Sequence, residues 1–197
     1  MTSPQRFDAA YYHRHYQARA RVHAAAEVGR LASGVVGLAG WLGVTIETAL
    51  DVGAGPGFWR DWFRRHRPAV RYRSTDFSPF ACEAYGHERR DIATWRSRGR
   101  HDLVICQGVL QYLEAGAAAA AIENLGAMCR GLLYLEAITR RDLAEVVDRE
   151  RTDTAIHARS GAWYRRRLQP HFVQVGAGLW AARRAGLHFY ELEAAGR

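Results

Sequence analysis

The run Ala49-Leu50-Asp51-Val52-Gly53-Ala54-Gly55-Pro56-Gly57-Phe58-Trp59 constrains the fold more than any other stretch. Apolar Ala49, Leu50 and Val52 around an acid predict a buried strand. Gly53, Gly55 and Gly57 follow at alternate positions. Phe58, Trp59, Trp62 and Phe63 then recur at helical spacing. A glycine has no Cβ to block a ligand and tolerates positive φ. The helix that starts behind such a turn presents N–H groups without helical partners. The remaining chain reads as support for a ligand bound at this turn.

The chain has 197 residues, enough for one domain with a substantial core. A hydrophobic fraction of 48% argues against disorder. No apolar run is long enough to span a bilayer, and the first residues have no signal-peptide h-region, so a cytoplasmic protein is expected. Cys82, Cys106 and Cys129 form no metal-binding or CxxC pattern and are expected as free thiols, two of them in apolar surroundings. No metal is expected. The formal net charge is +8, and every basic residue other than histidine is arginine. The arginines are scattered. The densest runs, Arg64-Arg65-His66-Arg67 and Arg165-Arg166-Arg167, fall near expected helix C-termini, where cations suit the dipole.

Residues 4–20 read as a helix, with Ser3 as cap and Pro4 in the first turn. Tyr12 and Tyr16 share a face, as do Tyr11 and His15. In a second helix, Val28, Leu31, Val35, Leu38 and Leu42 form an apolar stripe, with Gly40 and Gly43 as stop signals. Strands are then expected at about 47–52, 70–76, 87–90, 102–106 and 132–136, alternating with helices at 58–66, 78–85 and 115–129. That order predicts a parallel sheet with helices on both faces and a ligand beyond the strands' carboxyl ends. Residues 137–160 break the rhythm, helical over 142–149, and are placed to wall a second ligand. Ser160 caps a helix over 161–169. Strands at 172–175 and 187–192, joined by a glycine-containing turn, are expected to close the sheet.

The glycine turn is not a Walker loop, which needs a lysine this chain lacks, and its GxGxG spacing differs from the dinucleotide GxGxxG. Asp51-x-Gly53-x-Gly55-x-Gly57 resembles motif I of the class I S-adenosylmethionine-dependent methyltransferases. Further ordered features carry the resemblance over residues 45–136. Asp76 stands where the family keeps an acid that accepts hydrogen bonds from both ribose hydroxyls. Asp91-Ile92 matches the position that meets the adenine amino group and packs on its ring. Asp102 to Leu113 resembles motif IV and the helix after it. The resemblance implies a Rossmann-like three-layer sandwich: a mostly parallel seven-stranded sheet with an antiparallel last strand, preceded by N-terminal helices. It implies S-adenosyl-L-methionine as cofactor and S-adenosyl-L-homocysteine as product. The implied cofactor-binding set is Asp51, Gly53, Ala54, Gly55, Gly57, Phe58, Trp59, Asp76, Phe77, Asp91, Ile92, Gln107, Gly108, Val109 and Tyr112. Backbone N–H groups of the turn would approach the cofactor's carboxylate, Asp51 would receive its ammonium, and Phe77 and Ile92 would sandwich adenine. In many small-molecule members a histidine stands where this chain has Tyr112, so that histidine's role is not carried over.

One domain spanning 1–197 is expected: a helical cap (1–44), a cofactor-binding half (45–136), a substrate-side insertion (137–160), and a closing helix and strands (161–197). Displacement at a methyl group gains much from alignment, and a base is needed only where the acceptor must lose a proton. Cys106-Gln107-Gly108-Val109 is not the Asn-Pro-Pro-Tyr-like motif of N6-adenine and glutamine methyltransferases, which disfavours those acceptors. His157, with Asp153 four residues earlier, and Glu136 are the candidate bases. Tyr11, Tyr12, Tyr16 and His157 are the candidate acceptor-binding residues. The favoured reading is methyl transfer to O or N of a small molecule. The alternatives are an RNA or protein methyltransferase using the arginine surface, and a methyltransferase-fold binding protein without turnover.

Overall fold

The computed structural model describes residues 4–19 and 21–194. A seven-stranded sheet runs in the order β3-β2-β1-β4-β5-β7-β6. Its strands are β1 (Thr48–Val52), β2 (Arg71–Asp76), β3 (Glu88–Arg89), β4 (His101–Gln107), β5 (Cys129–Glu136), β6 (Phe172–Gly176) and β7 (Leu179–Ala182). The pairs among β1 to β5 are parallel, with α4 (Pro79–Tyr85) between β2 and β3. β7 runs antiparallel to both β5 and β6. The sheet order therefore reverses at β1 and β4, the kind of switch point where a crevice opens beyond the strand tips.

Strand alternation sends neighbouring side chains to opposite faces. Leu103 and Ile105 join Ala49, Leu132 and Tyr134 against α2 (Ala25–Trp41) and α3 (Phe58–His66). Val104 and Cys106 join Leu50, Val52 and Leu133 against α5 (Ala115–Met128) and α7 (Gly161–Leu168). Both faces are thus covered, which is why the central strands read as continuous apolar runs. Cys82, Cys106 and Cys129 are free, and the last two are buried. No helix among the described residues is long and apolar enough to cross a membrane.

Three expectations are corrected. First, the opening segment is not one helix. A short 3-10 turn precedes α1 (Ala9–Tyr12), and a π-helical turn spans His13–Gln17. Asp8 starts α1, its side chain accepting from the Tyr11 N–H, so the chain re-caps after the prolyl turn. The expected Ser3 cap lies outside the described residues. Second, the buried face of α2 is Val28, Ala32, Val35 and Ala39, while Leu38 is exposed. Small alanines let the helix approach closely and turn the larger leucines to the flank. Third, residues 187–192 are not a strand. Gly176, Ala177 and Gly178 all adopt positive φ, so the chain reverses at once and the return strand is Leu179–Ala182. Leu187 and Phe189, whose alternation suggested a strand, pack as irregular chain against the core beside α2.

Candidate functional site

The chain between β1 and α3 makes its turn with Gly53, Gly55 and Gly57 at φ +70°, +55° and +81°. The turn is fastened from behind. The N–H groups of Gly53 and Ala54 donate to the Thr75 carbonyl at 2.8 and 3.0 Å, and the Gly57 N–H donates to Ala54. The Gly55 N–H donates to Oδ2 of Asp76 at 2.9 Å. The turn's donors are engaged within the protein, contrary to the expectation that they would approach the cofactor's carboxylate. What the glycines leave open is space: a Cβ on Gly55 would meet nothing nearer than 3.9 Å.

That space is a cavity of about 730 Å³, within the range of small-molecule sites. Gly53 and Gly55 from the turn, Asp76 at the end of β2 and Phe77 after it, Asp91 and Ile92 after β3, Gln107 at the end of β4, and Gly108 and Val109 after it all line it, with Tyr112. A recess of about 80 Å³ adjoins it, lined by Asp51, Ala54, Phe58, Trp59, Gln107 and Glu136, and again by Gly53, Gly55 and Tyr112. The structure thus gathers around one hollow every expected cofactor-binding residue except Gly57, which caps α3.

The acids differ in state. Asp76 is buried; its Oδ1 accepts from the Ser78 N–H at 2.8 Å while Oδ2 holds Gly55. Burial raises its carboxyl, and the backbone N–H groups of Ser78 and Gly55 oppose that rise. Asp51 is buried at the end of β1 and accepts from the Tyr72 hydroxyl at 2.6 Å. Burial pushes it up to about 7, with the Tyr72 bond pulling the other way. Asp91 accepts from the Ala93 N–H at 2.9 Å, which fixes its own turn.

At the tips of β4 and β5, a chain of side chains links the two strands. The Trp59 indole N–H donates to Oε1 of Gln107 at 2.8 Å, and the Gln107 amide donates to Glu136 at 3.2 Å. Tyr134 donates its hydroxyl to the same carboxylate oxygen at 3.1 Å. Glu136 Oε1 faces His23 Nε2 at 3.6 Å. Burial alone would raise Glu136, but His23, Tyr134 and Gln107 hold it below the usual carboxylate value.

The N-terminal segment closes over this hollow. Tyr11, Tyr12 and Tyr16 line the large cavity, and Tyr11 and Tyr16 also line the recess. The hydroxyls of Tyr11 and Tyr112 lie 3.0 Å apart, and Phe7 meets both rings edge-on. Burial pushes the hydroxyls of Tyr11, Tyr12, Tyr16 and Tyr112 upward, so all four stay protonated at neutral pH. The segment after β5 meets this cover. Arg6 donates to Asp153 at 2.6 Å, and the Arg151 carbonyl lies 3.2 Å from the His15 ring. The segment is narrowed at its neck by a bridge between Thr139 and Arg159. Arg159 is buried and donates to the carbonyls of Leu110 and Leu113, tying the neck to the chain after β4. Its helix, α6 (Arg140–Glu145), is shorter and earlier than expected because Thr139 and Asp142 form a capping box.

His157 is corrected as a candidate base. Its side chain is exposed and lines neither cavity, and its backbone N–H donates to the Gln111 carbonyl. Asp153, expected to orient it, instead pairs with Arg6. Two histidines carry no signal in the sequence yet take part in the site, one in the recess and one behind the turn. His23 stands beside Glu136. His87 is buried behind the glycine turn, with Nε2 at 2.9 Å from the Gly55 carbonyl and Nδ1 at 2.9 Å from the Ser74 hydroxyl. A lone histidine in no periodic pattern acquires its partners only through tertiary folding.

No protein-family model matches the sequence, and no curated protein matches it. Solved structures do match. Magnesium protoporphyrin IX methyltransferase (ChlM) from Synechocystis, with S-adenosylhomocysteine bound, superposes with a TM-score of 0.61 at 17% identity, covering 91% of this chain and 96% of that one. CalS10, an amino pentose methyltransferase from Micromonospora echinaspora with S-adenosylmethionine bound, gives 0.59 at 16%, covering 88% and 94%. DesVI from Streptomyces venezuelae gives 0.59 at 14%, covering 78% and 90%. At these identities the likeness is one of architecture: the chain has the Rossmann-like fold of the S-adenosylmethionine-dependent methyltransferases.

Proposed function

We propose that the protein is an S-adenosylmethionine-dependent methyltransferase that acts on O or N of a small molecule. The observation that carries this reading is the single hollow at the carboxyl ends of β1, β2 and β4, into which the ordered motif residues converge. The residues fit the cofactor's chemistry. Asp76 offers only acceptor oxygens when ionised, which suits a ribose diol, and each oxygen keeps a lone pair beyond its backbone bond. Ile92 and Phe77 supply apolar surface for a purine, with Asp91 beside them. The space that a Cβ on Gly55 would enter is the space a ligand needs.

When bound, S-adenosylmethionine supplies a methyl group on a sulfonium cation. The chain's own part is to orient, enclose and exclude water. The Trp59–Gln107–Glu136 chain fixes the floor at the β4 and β5 tips. The tyrosine cover and the segment after β5 enclose it. The neighbours named for a porphyrin and an amino pentose support a small acceptor. The test is incubation with methyl-tritiated S-adenosylmethionine and a panel of small phenols and amines. Label in a small molecule is expected. Label only in added tRNA or protein would transfer the reading to a macromolecular acceptor.

A further inference from the structure

An amino acid head bound near the glycine turn needs a partner for its carboxylate, and the turn's own N–H groups already donate to Thr75, Ala54 and Asp76. Two cationic side chains line the hollow among the described residues. Arg90 stands in the large cavity beside Asp91 and Ile92 and lies over the Trp95 ring. His23 stands in the recess with Phe58 and Trp59, the first residues of α3. That is also where the helix N-terminus favours negative charge.

His23 and Glu136 are an incomplete pair. Their closest atoms are 3.6 Å apart, beyond a good hydrogen bond, and their side chains are 34% and 39% exposed. Glu136 is fixed from the other side by Gln107 and Tyr134, whereas His23 makes no further hydrogen bond among the described residues. A zwitterionic amino acid head carries the complementary charges, a carboxylate and an ammonium on one carbon. The other acids of the recess are held elsewhere, Asp51 by Tyr72 and Asp153 by Arg6.

We propose that the His23–Glu136 pair reads the amino acid head of the cofactor, His23 receiving the carboxylate and Glu136 the ammonium. This rests on the proposed function. Contact with Glu136 raises His23 above its ordinary value, while burial lowers it; Glu27 of α2 adds to the rise. The cationic form therefore persists to higher pH, and carboxylate binding weakens as pH rises through that raised value.

Calorimetry with two ligands tests this: S-adenosylhomocysteine, and 5′-methylthioadenosine, which lacks the amino acid head. His23→Gln is expected to weaken S-adenosylhomocysteine about ten-fold or more, the scale of a lost charged hydrogen bond, and to leave 5′-methylthioadenosine unchanged. The wild-type affinity for S-adenosylhomocysteine should fall more steeply with rising pH than the variant's, the difference between the two profiles isolating His23 from Asp51 in the same recess. Equal weakening of both ligands, no weakening of either, or identical pH profiles for the wild type and the variant overturns the proposal. Failure of the wild type to bind either ligand overturns the proposed function as well.

Discussion

The three glycines of the turn are alike in sequence and unlike in duty. A Cβ on Gly53 would lie 2.3 Å from Cγ2 of Val109, so this residue lets the β4 tip pack against the β1 tip. Gly55 faces open cavity, and a Cβ on Gly57 would meet the end of the Arg60 side chain, which can move. Gly53→Ala is therefore expected to destabilise the fold by about 1–3 kcal/mol, from overpacking and backbone strain together. Adding Val109→Ala should recover the packing share and leave the strain. Urea unfolding of the single and double variants checks this; a Gly53→Ala protein as stable as the wild type would contradict it. The glycine spacing was legible in the sequence, but its reason was not, since Val109 meets the turn only across the sheet. The same holds for acids against histidines. Asp51 and Asp76 announce themselves at strand ends, whereas His23 and His87 depend on partners that folding supplies.

At the scale of elements, β4 is stitched to its neighbours by one carboxylate. Asp102 accepts from the N–H groups of Glu47 and Thr48 at 3.0 and 2.8 Å, from the Thr48 hydroxyl at 2.8 Å, and from Arg130 of β5 at 2.6 Å. Burial works to raise its carboxyl, but Arg130, Thr48 and Glu47 bring it down to about 2. A depressed carboxyl stabilises the fold above its unfolded value and loses that contribution as pH falls through the folded one. Asp102→Asn is expected to cost about 1–3 kcal/mol near neutrality, and the difference from wild type should shrink as pH drops from about 4 toward about 2. Thermal unfolding across that range decides it; a gap that stays constant would show that charge is not the cause. The central strands and their helices were legible because apolar runs alternate with helical periodicity. The closing hairpin was not. Its turn, Gly176-Ala177-Gly178, is tight enough to start the return strand at Leu179, before the alternating Leu187 and Phe189 that drew attention.

Across the whole molecule, segments distant in sequence meet over one hollow. The opening tyrosines, the turn after β1, the tips of β4 and β5, and the segment after β5 are joined there by the Tyr11–Tyr112, Trp59–Gln107–Glu136 and Arg6–Asp153 contacts. The motif spacing foretold the floor of this site, and the order of elements foretold its place beyond the sheet. The cover was legible only as tyrosines sharing helix faces and offered for an acceptor, because aromatic spacing on a helix does not say what the rings face. The proposed function requires that S-adenosylmethionine lie in the hollow over Gly55. Titration calorimetry of S-adenosylhomocysteine into the wild type and into Gly55→Val measures it most directly, with circular dichroism confirming that the variant is folded. Saturable one-to-one binding to the wild type and none to the folded variant is the predicted result. No binding to the wild type, or equal binding to both, would contradict it.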